Sequence, residues 1–169
     1  MRFNVPAYSQ YLDVKNRAWK RRSCGIVALK MVLDFLKPKH TVTRTFPRLI
    51  KARIRAHAYI RNVGWSHAGL ARVAMRYGFK GKKYNWSSKT PKSASITMLR
   101  ALKRGPVIAS IYRNLKYGSS GHLVVVTGFE KNIVFYNDPD SKTRHAIPRK
   151  VPLTKFLKGW KQRIIVVRI

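Results

Sequence analysis

The sequence predicts an α+β domain in which a largely helical part, about residues 1–104, precedes an antiparallel β part, about residues 105–169. Three observations lead there. The 169 residues are one domain's worth, and with 45% hydrophobic and 11% aromatic residues they have the composition of a packed core, not of a charged disordered tail. Apolar residues recur at helical spacing as far as Gly105-Pro106. Beyond that point, β-branched and aromatic runs alternate with Gly, Asn and Ser turns. The helical part is expected to form one layer and the sheet a second.

The elements follow in order. An extended lead-in carries Val5-Pro6 and Tyr8-Ser9-Gln10. From Cys24 to Lys37, apolar residues fall at 26, 27, 29, 31, 32, 33, 35 and 36, which predicts a mostly buried helix. Ser23 fits its N-cap and Pro38 stops it, so the helix runs about 21 Å with Cys24 on the first turn. Further helices are predicted over Pro47–Ala58, over Ser66–Tyr77 before Gly78, and over Lys92–Lys103 before Gly105. Val107–Tyr112, His122–Phe129 and Ile133–Tyr136 read as strands, and the short Glu130-Lys131-Asn132 connection makes the last two an antiparallel hairpin. Leu153–Trp160 reads as a short helix, and Arg163–Ile169 as a last strand.

Charge is the anomaly. Against 37 Lys and Arg stand 5 acids, a formal +32. The basic residues number 14, 13 and 10 in positions 1–60, 61–120 and 121–169, nearly flat, whereas a nucleic-acid module concentrates them on one stripe. Such a surface binds polyanions non-specifically at low salt whatever its role. No apolar run is long enough to cross a bilayer, and the N-terminus lacks a signal peptide's apolar core, so a soluble cytoplasmic protein is expected. A single cysteine excludes an internal disulfide and a cysteine cluster for metal, and no cofactor is expected.

The lone Cys24 is either a small buried core residue or a nucleophile, since the free N–H groups of a helix N-terminus favour a thiolate. A nucleophile needs a histidine partner and a group to orient that ring. Of the histidines at 40, 57, 67, 122 and 145, His122 stands out: it opens a strong strand after the flexible run Tyr117-Gly118-Ser119-Ser120-Gly121, held firmly yet exposed at the edge of the sheet. His40, His57 and His145 read as surface residues. His67, at a helix start, either lines a cleft or takes a solvated or capping role, the second being the expectation. The orienting group falls in Tyr136-Asn137-Asp138-Pro139-Asp140, which holds two of the five acids. Pro139 forces Asp138 into an extended backbone suited to a strand end, while Asp140 reads as a turn residue.

These residues resemble the papain-like cysteine peptidases of the double-glycine leader (bacteriocin-processing) type, in their stand-alone form. The resemblance rests on Val5-Pro6 with Tyr8-Ser9-Gln10, on Ser23-Cys24-Gly25-Ile26 opening Ala28-Leu29-Lys30-Met31-Val32-Leu33, on Gly121-His122-Leu123-Val124-Val125-Val126-Thr127-Gly128-Phe129, and on Tyr136-Asn137-Asp138-Pro139. It implies a papain-like fold, with the catalytic helix packed on the sheet. Cys24 would be the nucleophile, His122 the general base and then acid, Asp138 its orienting partner, and Gln10 an oxyanion-hole donor beside the Cys24 backbone N–H. Asn137 competes for the third place, and adjacent strand residues point oppositely, so only one of the two faces His122. The implied reaction is peptide-bond cleavage through a thioester acyl-enzyme by a monomer acting on a peptide or protein substrate. The alternative is a catalytically idle, strongly basic domain that binds nucleic acid or anionic envelope polymers.

Overall fold

A computed structural model describes residues 1–39 and 44–169; His40 lies outside the described residues. The helices are α1 (Arg17–Lys20), α2 (Cys24–Leu36), α3 (Phe46–Arg55), α4 (His67–Arg76), α5 (Pro91–Leu102) and α6 (Leu153–Gly159). The strands are β1 (Tyr59–Ile60), β2 (Gly64–Trp65), β3 (Lys80–Asn85), β4 (Val107–Tyr112), β5 (Gly121–Glu130), β6 (Ile133–Asn137), β7 (Pro148–Pro152) and β8 (Trp160–Arg168). β1 and β2 pair with each other, and the other six form an antiparallel sheet in the order β3-β8-β4-β5-β6-β7.

The predicted α2 forms almost as read, and every residue from Gly25 to Asp34 is buried. It belongs to a core with α3 and α4 over one face of the sheet, against Ile108, Leu123, Val125, Ile165 and Val167. The alternate residues Val107, Ala109, Val124, Val126 and Ile164 point the other way, into a second core closed by α5 and α6. The molecule therefore has three layers, not the expected two. β4 is buried from Val107 to Ile111 and β5 from His122 to Gly128, and strands apolar on both faces need a cover on both.

Two strands of the sheet carry no apolar pattern in the sequence. β3, Lys-Gly-Lys-Lys-Tyr-Asn, is an edge strand in the helical part of the chain and forms through its register with β8, from Lys80 opposite Arg168 to Asn85 opposite Arg163. Exposed lysines at an edge discourage pairing with another chain. β7, bounded by Pro148 and Pro152, closes the opposite edge, where proline is tolerated. The β5–β6 hairpin forms as read: Glu130 faces Ile133, and Lys131 and Asn132 take φ of 46° and 62°, as a two-residue type I′ turn requires. The N-terminal segment lies along β5 at Gly128, with Phe3 N donating to Thr127 O at 2.8 Å.

Candidate active site

Cys24 is the first residue of α2 and is half-buried, which sets it apart from the fully buried residues that follow it. Ser23 occupies the N-cap position as expected, but its φ of −100° and ψ of 12° are not those of a capping residue, and its buried Oγ makes no hydrogen bond. Among the described residues no side chain caps the first turn, so its N–H groups remain available to an anion formed beside the thiol.

The residue after the thiol has little room. A Cβ on Gly25 would lie 2.4 Å from Cγ of Trp65, whose indole Nε1–H donates to Arg22 O at 2.7 Å. Trp65 thus spans the chain on both sides of Cys24 and packs in an aromatic cluster with Trp19 and Tyr59. Gly25→Ala is expected to displace the indole or the helix start and to cost about 1–3 kcal/mol by overpacking. Urea denaturation and the Cys24 alkylation rate measure both effects; an unchanged rate and midpoint would show that Trp65 yields freely.

His122 opens β5, an interior strand between β4 and β6, and is 3% exposed. The expected position at the exposed edge of the sheet is corrected: the ring is enclosed. The run before it is also anchored, because Arg113 N donates to Ser120 O at 2.9 Å and Ser119 Oγ donates to Arg113 O at 3.0 Å. Nε2 of His122 lies 2.7 Å from Oδ1 of Asp138, immediately past β6. Asn137 turns away, as strand alternation demands, and donates from Nδ2 to Val5 O at 3.2 Å.

Asp138 is fixed on both oxygens. Oδ1 also accepts Asp140 N at 2.9 Å, and Oδ2 lies 3.2 Å from Nη1 of Arg149. Burial alone would raise its pKa, but the His122 hydrogen bond and charge, the Asp140 amide and Arg149 outweigh that and hold it below the usual carboxylate range. For His122, burial pulls the pKa down, yet the hydrogen bonds and charges of Asp138 and Cys24 raise it to about 10. Cys24 thus acts on a ring whose Nε2 is taken by Asp138. The remaining nitrogen, Nδ1, is buried and makes no hydrogen bond among the described residues.

Gln10 is 1% exposed and joins the same network. Its N–H donates to Pro139 O at 2.9 Å and its Nε2 to Asp140 Oδ1 at 2.8 Å, while Oε1 is buried and unpartnered. Asp140 also accepts from the Tyr11 hydroxyl at 2.9 Å and is paired with Arg113, so it is far more than a turn residue. Arg149 and Arg113 were invisible in the sequence: nothing marks two arginines among 37 basic residues. His57 and His145 are exposed, as expected, and His67 is half-buried at the start of α4.

A helix that presents a half-buried cysteine to a buried His–Asp pair on an antiparallel sheet is the arrangement of a papain-like cysteine peptidase. The chain belongs to the Peptidase_C39 like family, whose model matches residues 3–164. Solved structures share the fold. One is a double glycine motif protease from an AMS/PCAT transporter in complex with the leader peptide (22% identity, 98% of this chain and 92% of that one, TM-score 0.62). Another is a protein of Bacillus anthracis described as a C39-like peptidase (18% identity, 98% and 94%, TM-score 0.66). A third is the peptidase domain of Streptococcus ComA, a bi-functional ABC transporter (18% identity, 88% and 92%, TM-score 0.58). No curated protein sequence matches this chain.

Proposed function

We propose that the protein cleaves peptide bonds with Cys24 as nucleophile, His122 as general base and acid, Asp138 as the group that orients and charges His122, and Gln10 as an oxyanion donor. The observation that carries this reading is the 2.7 Å His122–Asp138 contact, which leaves Nδ1 as the free nitrogen of a ring on which Cys24 acts.

The chemistry follows from those positions. With Nε2–H donating to Asp138, Nδ1 takes the Cys24 proton, and Asp138 balances the imidazolium. The thiolate sulfur attacks the scissile carbonyl carbon, and the electron pair moves to oxygen. That oxyanion meets the uncapped first-turn N–H groups of α2 and the second N–H of the Gln10 amide, whose first is held by Asp140. As the C–N bond breaks, Nδ1–H passes its proton to the leaving amine, and a thioester remains. Nδ1 then deprotonates a water, which adds to the thioester, and the C–S bond breaks to release acid and thiol.

The substrate is a peptide or protein segment, in keeping with the leader peptide bound by the transporter protease of the same fold. Monomeric action fits a site built wholly from one chain. Polyanion adhesion at low salt follows from the +32 charge and is separate from the site.

Alkylation tests the nucleophile. Iodoacetamide is expected to label Cys24 readily near pH 6, where an ordinary thiol of pKa about 8.5 is almost wholly protonated. Cys24→Ser is expected to abolish peptide hydrolysis and leave the thermal midpoint nearly unchanged. A sluggish thiol together with undiminished polyanion binding would favour the idle, basic binding domain instead.

A further inference from the structure

The first turn of α4 reaches the first turn of α2 through Trp65, which packs on Gly25 two residues before His67. Around His67 the sheet supplies the cations Lys83, Lys161 and Arg163. Lys83 of β3 lies opposite Ile165 of β8, so Lys83 and Arg163 stand on the same face, the one that carries α4. The helix runs close to β3 there: a Cβ on Gly81 would meet Ala71 O at 2.5 Å. From the other side, Nζ of Lys161 lies over the Tyr112 ring, 4.8 Å from its centroid and 3.5 Å from where a Cβ of Gly121 would stand. Gly121 is the residue before His122. Lys161 therefore stands beside the start of the strand that carries the imidazole, and Lys83 and Arg163 lie on the sheet face under the helix that Trp65 links to the thiol.

This cluster has no internal counter-charge. Asp13 pairs with Arg144, Asp34 with Lys30 and Arg44, Asp138 with His122 and Arg149, and Asp140 with Arg113. Glu130 ends β5 at the far end from His122. Nε of Arg163 is buried without a hydrogen-bond partner among the described residues. Burial, and then the charges of Arg163, Lys83 and Lys161, hold the His67 imidazole below its ordinary pKa, as expected where cations crowd together without an anion.

We propose that His67, Lys83, Lys161 and Arg163 form a carboxylate-binding subsite beside Cys24 that selects peptide substrates with an acidic side chain near the scissile bond. The proposal rests on the nucleophilic role of Cys24. An Asp or Glu placed there would give Arg163 and the lysines the partner this chain lacks, and the N-terminal dipole of α4 adds to the attraction. The subsite makes the positive surface specific at one place, where elsewhere it is only adhesive.

The test compares alkylation of Cys24 by iodoacetate, which is anionic, with alkylation by neutral iodoacetamide. The iodoacetate-to-iodoacetamide rate ratio is expected to fall about threefold to tenfold in Lys83→Gln/Lys161→Gln/Arg163→Gln, as the removal of three nearby charges implies. An equal loss of charge on the opposite layer, in Lys103→Gln/Arg104→Gln/Lys155→Gln, is expected to change it far less. An unchanged iodoacetamide rate certifies that the site in either variant is intact. In a peptide library with matched Glu and Gln at each position, the wild type is expected to prefer Glu at one position and the first variant to lose that preference. Equal falls in the two triple variants, or no Glu preference at any position, would overturn the subsite and leave the nucleophile standing. No labelling by iodoacetamide would overturn the nucleophile, and the subsite with it.

Discussion

Asp138→Ala is expected to lower kcat/KM on the order of 10²–10⁴-fold, because it removes both the hydrogen bond that fixes the His122 ring and the charge that stabilises its imidazolium. Asp138→Asn separates the two: it keeps a hydrogen-bonding group and loses the charge. The thiolate–imidazolium pair requires a protonated His122, so activity falls as pH rises through the His122 pKa of about 10. Asp138 is among the groups that raise that value, so either substitution is expected to move the alkaline limb of the pH–rate profile to lower pH. Asp140→Ala is the informative contrast. From the sequence it should change little, as a turn residue. The structure ties its carboxylate to Gln10 Nε2 at 2.8 Å, so its loss is expected to act through a misplaced oxyanion donor. A fall of about 10–100-fold in kcat is expected, non-additive with Gln10→Ala and with the alkaline limb unmoved. If Asp138→Ala and Asp140→Ala displace the alkaline limb equally, the assignment of Asp138 to His122 fails.

The parts of this site that were legible in the sequence are those where chemistry is scarce. Cys24 is the one cysteine, Gln10 one of two glutamines, and Asp138 one of five acids, so each stands out against a basic background. The groups that complete the network could not be found this way. Arg149 and Arg113 are two basic residues among many, and the bonds of Asp140 to Gln10 and Tyr11 join residues more than a hundred apart in sequence. Register decides which of Asn137 and Asp138 meets His122: Asn137 lies opposite Val125 and reaches back to the Val5 carbonyl, and Asp138 contacts the ring. The fold divides in the same manner. α2, β4 and β5 were readable because local apolar patterns specify them, whereas β3 exists only through its pairing with β8. The second layer of helices was foreshadowed by the unbroken apolar runs of β4 and β5, which alternation alone does not require.

The largest loss of stability is expected from Asp34→Ala. This acid sits in the last turn of the most buried helix, 2% exposed. Its Oδ2 lies 2.7 Å from Lys30 Nζ, one helical turn away, and accepts the Tyr8 hydroxyl at 3.0 Å, while Oδ1 accepts Arg44 Nε at 3.1 Å. Both cations are themselves buried. Burial, reinforced by Asp34, pushes the Tyr8 pKa to about 12, so its hydroxyl remains a donor to Asp34 throughout the physiological range. Removal of the carboxylate leaves two buried cations facing each other, at a cost of about 3–5 kcal/mol against a typical total of about 5–15 kcal/mol. Lys30→Met is the control: it leaves Asp34 paired with Arg44, fills similar volume, and is expected to cost much less. Urea midpoints at low and high salt identify the cause. Added salt screens the mutual repulsion of a +32 surface and is expected to stabilise the wild type and Asp34→Ala alike, so the gap between them persists. A gap that closes with salt would make Asp34 one more relief of surface repulsion. Tyr8 lies two residues before Gln10, and Asp34 lies in the helix that begins at Cys24, so this buried network also joins the two segments proposed to hold the oxyanion.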